Sequence, residues 1–251
     1  MGLVETEALI LRNLRLGEAD KIVVVLTRRE GVVRGVARGA LRLKSKFGAS
    51  LEPFTLIHLT FFEKEARELV TFTQTEIVES YFDLTRDDKI FITLEYLAGL
   101  IIEFAPLRAP DERFYRLLRA CLQALRETPA EVKRIARYCE IWTLKIAGFL
   151  PELSHCASCK QMLSGEAGGG LLDYHNVLKC KRCSDGQGLP VSDLVTRELK
   201  VALKSRPEDW TQQTRAHGAD GVDAELGNLV RILITRALER EPKFRPGQLA
   251  S

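Results

Sequence analysis

Residues Lys21–Ala37 read KIVVVLTRREGVVRGVA, two runs of β-branched and aliphatic residues parted by Arg28-Arg29-Glu30-Gly31. Such runs favour pleated strands, and a glycine that tolerates positive φ between them marks a tight reversal. A β-hairpin is therefore expected, with strands over Lys21–Thr27 and Val32–Ala37. Outward from it, Glu7–Arg12 precedes the hairpin, while Phe54–Phe62 and Leu69–Val78 follow and meet at Glu63–Glu65. Short strands of this kind in about 80 residues, with no helical run long enough for a βαβ crossover, predict a small closed barrel. The five-stranded oligonucleotide/oligosaccharide-binding barrel (OB-fold) fits that count. An SH3-like barrel or an open sandwich would leave much the same pattern.

At Tyr81 the period changes. Ile90, Leu94, Leu97, Ala98 and Ile101 recur at helical spacing, and Pro106 and Pro110 end the run. Further helices are expected over Asp111–Arg126, Pro129–Gly148, Ser192–Lys204 and Asp223–Arg240, with Ser192 or Asp193 as a cap. The polar stretch Arg206–Gly221 reads as loop. Cys121 and Cys139 sit among apolar neighbours in these helices and are read as core. The expected organisation is α+β, with a barrel over 1–80 and a helical domain over 81–251. A Cys- and Gly-rich module is inserted in the latter at 154–190, and the end beyond Glu241, with two prolines, reads as a trailing segment.

Within the module, Cys156-Ala157-Ser158-Cys159 and Cys180-Lys181-Arg182-Cys183 form two C-x-x-C pairs separated by Lys160–Lys179. Each such turn presents two thiolates on one side, and two turns complete a tetrahedron, so a structural Zn²⁺ on Cys156, Cys159, Cys180 and Cys183 is expected. His155 or His175 could replace a cysteine, but four thiolates already close the shell and leave no place for a catalytic water. A zinc deaminase would need a His-x-Glu element and a proline before its C-x-x-C, and neither is present. Gly168-Gly169-Gly170 is not followed by Lys-Ser/Thr, so it is no phosphate loop and reads as a flexible turn.

The chain has 251 residues and a formal net charge of +3; 45% hydrophobic and 28% charged residues exclude wholesale disorder. The longest apolar stretch, Leu97–Ile102, is far short of the roughly 20 residues a membrane helix needs. The N-terminal residues lack the basic start and apolar core of a secretion signal, and six cysteines without one fit a reducing, cytosolic setting. The net charge conceals an asymmetry. Residues 1–50 hold ten basic against five acidic side chains, so the remaining residues are slightly acidic. Arg34, Arg38, Arg42, Lys44 and Lys46, interleaved with Gly31, Gly35, Gly39 and Gly48, are expected to line a groove that tracks a phosphate backbone. Solvated charge on strand faces is the competing reading. Phe47 and Phe54 could stack on bases but are read first as barrel core.

No Walker loop, G-x-S-x-G or H-E-x-x-H occurs. His58 alternates with apolar neighbours and is read as a paired core or barrel-wall residue. Asp87-Asp88 stands where carboxylates favour a helix N-terminus.

Ala8–Arg12 (ALILR), Gly17–Asp20 (GEAD), Thr27–Gly31 (TRREG), Ala37–Phe54 (ARGALRLKSKFGASLEPF) and Gly148–Pro151 (GFLP) together resemble the bacterial RecO family of DNA repair proteins. The resemblance spans essentially the whole chain. It implies an OB-fold, a helical domain and an embedded zinc module, with the basic positions from Arg34 to Lys46 on the DNA-binding barrel. It also implies a non-enzymatic recombination mediator that binds single- and double-stranded DNA without sequence preference and anneals complementary strands. With its partner RecR such a protein helps load RecA onto strands coated by single-strand-binding protein (SSB), whose acidic C-terminal tail some members hold. The alternatives read from the residues are an interaction scaffold built on the zinc module, with an incidentally basic barrel, and a nuclease-type enzyme.

Overall fold

The structure, a computed structural model, describes residues 2–63, 68–163, 168–215 and 220–242. These form two compact units, with the boundary between Val132 and Lys133 at the start of a helix. No helix among the described residues is long and apolar enough to cross a membrane.

The first unit begins with β1 (Gly2–Leu16), β2 (Asp20–Thr27), β3 (Val32–Ala37), β4 (Thr55–Glu63) and β5 (Val70–Ser80). They close into a barrel in the order β1-β2-β3-β5-β4, with β4 returning to pair with β1. All neighbours run antiparallel except β3 and β5, whose short parallel contact pairs Gly35 with Val70 and Val36 with Thr71. The strand positions match the expectation, but β1 extends well beyond Glu7–Arg12 at both ends. Its exposed ends, with Glu5, Arg15 and Leu16, carry no buried stripe to reveal them. A register slip after Ile10 marks a bulge, which bends β1 enough to serve both β2 and β4.

Alternation divides the strand residues between two faces. Ala8, Ile10, Val23, Val25, Val33, Ile57, Leu59, Phe61 and Phe72 fill the barrel, plugged by Phe47 and Leu51. Leu9, Val24 and Leu26 lie on the opposite face and are also buried, because α1 (Asp88–Phe104) packs on β1 and α2 (Glu112–Glu127) on β2. That double burial is why KIVVVLT reads as a continuous apolar run rather than an alternating one.

Asp87 caps α1, accepting from the backbone N–H groups of Lys89 and Ile90, and Asp111 caps α2 through the N–H of Arg113. Arg126 fastens the end of α2 to the barrel by donating to Glu79 (2.6 Å) while its guanidinium lies 4.0 Å from the Tyr81 ring centre. Burial and a hydrogen bond to Glu79 push the Tyr81 phenol up to about 12, so it stays a donor.

Barrel closure depends on Gly35. A Cβ there would lie 2.2 Å and 2.5 Å from ring atoms of Phe72. Gly35→Ala is therefore expected to cost about 1–3 kcal/mol through overpacking. A thermal melt would show this as a lowered midpoint, and a Gly35→Ala/Phe72→Leu double variant should recover part of the loss. Equal midpoints for Gly35→Ala and the parent would sink the argument.

The second unit, Lys133–Pro242, holds α3 (Val132–Ile146), β6 (Gly170–Leu172), β7 (Leu178–Lys179), β8 (Leu189–Val191), α4 (Asp193–Ala202), α5 (Pro207–Arg215) and α6 (Asp220–Leu238). The helix expected over Pro129–Gly148 instead starts with a 3-10 turn at Pro129–Glu131. Ser192 caps α4 and is itself held by Glu225 of α6, at 2.7 and 2.8 Å. The expected loop after Arg206 is corrected: α5 forms there. Pro207 suits a first turn, Glu208 and Asp209 complement the helix dipole, and Trp210 is buried beside Tyr138, with ring centres 6.0 Å apart. A single buried aromatic among polar residues leaves no periodic stripe. Cys121 and Cys139 are fully buried, as expected.

Candidate nucleic-acid interface and metal centre

The basic segment leaves the barrel at Ala37 and returns through a 3-10 turn at Gly48–Leu51. Phe47 and Leu51 are seated in the barrel core, and Phe54 is fully buried too, so neither phenylalanine is available for base stacking. Between these anchors the loop is braced by its own backbone. The N–H of Gly39 donates to Asp20 (2.7 Å), that of Leu41 to the Ala19 carbonyl (2.9 Å) and that of Ser45 to the Arg42 carbonyl (3.0 Å).

The five singled-out cations do not stand alike. Arg38, Arg42 and Lys44 are exposed and make no ion pair among the described residues. Lys46 is exposed but donates to the Thr73 carbonyl (2.6 Å), with its ammonium 5.2 Å from the Phe47 ring centre. Arg34, on β3, is half-buried and faces Glu68 at 3.7 Å. Other cations of the first fifty residues are engaged as well. Arg12 pairs with Glu95, Lys21 with Glu52, and Arg28 with both Glu7 and Glu112. Among the described residues the exposed cations of this stretch without an ion pair are therefore Arg15, Arg29, Arg38, Arg42, Lys44 and Lys46, four of them on the loop at 38–46. The glycines are also sorted by the fold. Gly39 lies on the loop at φ +71°, whereas Gly31 and Gly35 are packed against Pro106 and Ala109 and under Phe72, so they do not admit a phosphate.

A cleft of about 430 Å³ opens on the outer face of β1, β4 and β5. Glu7, His58 and Glu76 stand side by side across the three strands, with Glu5, Arg28 and Arg29 around them. His58 is exposed there, so of its two readings the barrel-wall one stands and the core one is corrected: period-two alternation turns it outward between buried Ile57 and Leu59. Tyr115 of α2 donates to Glu7 at 3.0 Å, and burial, with that hydrogen bond, drives its phenol well above the usual range. The cleft sets three carboxylates, Glu5, Glu7 and Glu76, against two arginines, Arg28 and Arg29, with Glu7 already paired to Arg28. Only strand register assembles it, so the linear sequence offered no signal for it.

In the second unit, the Sγ atoms of Cys156, Cys159, Cys180 and Cys183 all lie within 4.8 Å of one another, and those of Cys159 and Cys180 are 3.8 Å apart. A tetrahedron with bonds of about 2.3 Å has edges of roughly 3.8 Å, so the donor set fits a zinc-sized, thiophilic cation. The turns are built to aim sulfur. Lys160 N–H donates to the Cys156 carbonyl (2.9 Å), Ser184 N–H to that of Cys180 (3.1 Å), and Lys160 and Asp185 take positive φ.

Burial opposes ionisation of Cys156, but N–H groups of Cys159, Cys180 and Ser158 surround it and hold its thiol down at about 6. Side-chain hydrogen bonds to Cys180 and Cys159 push Cys183 up to about 12. Four crowded sulfurs cannot all ionise unaided. A divalent cation removes that conflict by taking all four as thiolates.

Around the cysteines, β6 pairs with β7 and β8, and Arg236 of α6 donates to the Asp173 carbonyl and to Asn176 Oδ1, each at 2.8 Å. The reading of the glycine run as a flexible turn is corrected in part: Gly168 stands in open space, but Gly169 and Gly170 are packed backbone. A Cβ at Gly169, where φ is +99°, would lie 2.1 Å from the Val191 carbonyl oxygen. The C-terminal segment noted in the sequence from residue 243 onward, and the β4–β5 connection at 64–67, lie outside the described residues.

Two profiles of one family match the sequence: "Recombination protein O N terminal" over residues 1–81 and "Recombination protein O C terminal" over residues 91–245. The DNA repair protein RecO of Symbiobacterium thermophilum is 33% identical over 249 residues, covering 98% of this chain and 96% of that protein. That of Koribacter versatilis is 30% identical over 200 residues, 80% of this chain and 79% of its own. That of Dehalococcoides mccartyi is 29% identical over 247 residues, 95% and 92% respectively.

Proposed function

Because this chain belongs to the Recombination protein O family, whose members named above are DNA repair proteins, we propose that it is a non-enzymatic recombination mediator acting directly on DNA. Its role lies in DNA repair. In this reading the barrel is an OB-fold that holds single- or double-stranded DNA by its phosphates. Arg38, Arg42, Lys44 and Lys46 are the contacts, with Arg34 at the margin. Phosphate contacts carry no sequence information, so binding is nearly sequence-independent. Cations placed between two strands screen their mutual repulsion and let complementary bases pair, which is annealing.

The observation that supports this reading most is the concentration, on a braced loop, of exposed cations that make no ion pair among the described residues. The zinc held by Cys156, Cys159, Cys180 and Cys183 supplies cohesion to short strands and no reaction chemistry. RecR, SSB through its acidic tail, and RecA loading complete the proposed setting, in the cytoplasm and on the nucleoid when DNA is bound.

The test is to add the protein to complementary strands coated with SSB, with and without Mg²⁺, and follow duplex formation and strand length. Duplex formation with intact strands is expected. Strand loss that requires Mg²⁺ would make the protein a nuclease, and absence of DNA binding at low salt would leave the interaction-scaffold reading. In a salt titration, neutralising about six phosphates of a single strand should give a log–log slope near about −4. A slope close to zero would remove the phosphate groove.

A further inference from the structure

Leu43 is fully exposed, the most exposed of the large hydrophobic residues described. Leu41, two residues before it, is partly exposed, and Arg42 and Lys44 flank Leu43 directly. Single exposed aliphatic residues are ordinary on a protein surface; what sets Leu43 apart is its place between two exposed cations, with Leu41 also exposed, on a loop whose backbone is pinned at several points. The loop is also not free to fold the leucine away. Gly39 is tied to Asp20, Leu41 to Ala19, Ser45 to Arg42 and Lys46 to Thr73, while Phe47 is sunk in the barrel core.

We propose that Leu43 is a wedge that inserts between neighbouring base pairs of a bound duplex while Arg42 and Lys44 hold the phosphates on either side of the step. Aliphatic side chains presented among cations unstack base steps in this way, and the cost of unstacking is offset by their burial and by the contacts the bent duplex permits. A braced loop suits the task, because a wedge that yielded would not part the bases. The charge beside the leucine favours a polyanion as occupant, and the stacked bases of a duplex offer it apolar surface at that depth. The inference rests on the DNA-binding reading above and adds an activity to it. The same loop that screens strands during annealing would loosen a duplex where it docks.

The test uses a duplex with 2-aminopurine in one strand, whose fluorescence rises when its stacking is broken, with binding followed separately by anisotropy. Wild-type protein should bind and raise the emission severalfold. Leu43→Ala should bind the duplex within about threefold of wild type and lose most of the rise, and Leu43→Met should retain it. Single-strand affinity should be the same for all three proteins.

An undiminished rise with Leu43→Ala, or duplex binding by wild type with no rise, overturns the wedge and leaves the DNA-binding reading standing. Failure of wild type to bind any DNA at low salt overturns both. A parallel arm with anionic phospholipid vesicles separates the other surface that basic, leucine-bearing loops favour. Vesicle binding lost in Leu43→Ala, with the duplex response unchanged, would reassign the leucine to a lipid surface and overturn the proposal.

Discussion

Changing Arg38, Lys44 and Lys46 together to glutamate is expected to abolish strand annealing and leave the fold intact. An exposed charge pair at about 4 Å contributes about 1 kcal/mol in water, and reversal replaces that attraction with a similar repulsion. Even after screening by salt, three sites should then weaken single-strand binding by about a hundredfold or more, about 2.7 kcal/mol. The log–log salt slope should shrink by about 2, at about 0.7 per lost phosphate contact. All three side chains are exposed, so the cost to stability is small. The hydrogen bond from Lys46 to Thr73 and its contact with Phe47 are what would be lost. Gel-based annealing of labelled strands, alongside a thermal melt, checks both halves of the expectation. If the triple variant anneals at the parental rate, the DNA path lies elsewhere. The same triple reversal placed on Arg12, Lys21 and Arg28 should instead reduce stability more than annealing, because those cations are paired with Glu95, Glu52, Glu7 and Glu112.

Removal of the metal is expected to collapse the cysteine module while the barrel survives. The module's sheet is built from strands of three, two and three residues, too short to stand without a staple. Structural zinc contributes about 10–16 kcal/mol of apparent binding free energy in small cysteine modules at neutral pH, which exceeds what so small a core could replace. A strong chelator, or Cys156→Ser with Cys180→Ser, should expose the segment around residues 154–190 to limited proteolysis at least tenfold faster. The β-rich circular dichroism of the first unit should persist, and metal analysis of the untreated protein should give about one zinc per chain. Protein that contains no metal, or that resists protease equally after chelation, would end the structural-zinc reading. DNA binding by the chelated protein should be nearly unchanged, since the contacts described for the loop at 38–46 go to the barrel.

The sites differ in how far they could be read from the chain, and the difference follows from sequence distance. Each C-x-x-C is a local turn, so its geometry is encoded within a few residues. Bringing the two pairs together needs only one short sheet between them. The loop cations are equally visible, but their availability is not. Whether an arginine is free depends on acids brought from elsewhere, as Glu68 is to Arg34 and Glu95 to Arg12. The glycines near the loop carried the same ambiguity. Nothing local distinguishes Gly35, pressed under a ring from β5, from Gly39 on an open turn. His58 was left between core and barrel wall because alternation establishes that a residue faces away from its neighbours but leaves open which side is the inside.

By itself the amino-acid sequence determined the strand set, most of the helices, the cysteine quartet and the basic segment. Period, caps and short spacings are properties of neighbouring residues. Tertiary structure alone decided that β3 meets β5 to close the barrel, that α5 forms around Trp210, and that Glu7, His58 and Glu76 line one acidic cleft. It also decided which cations remain free and that Leu43 stands in water. Each of those outcomes turns on register and packing between segments far apart in the chain, which no local pattern encodes.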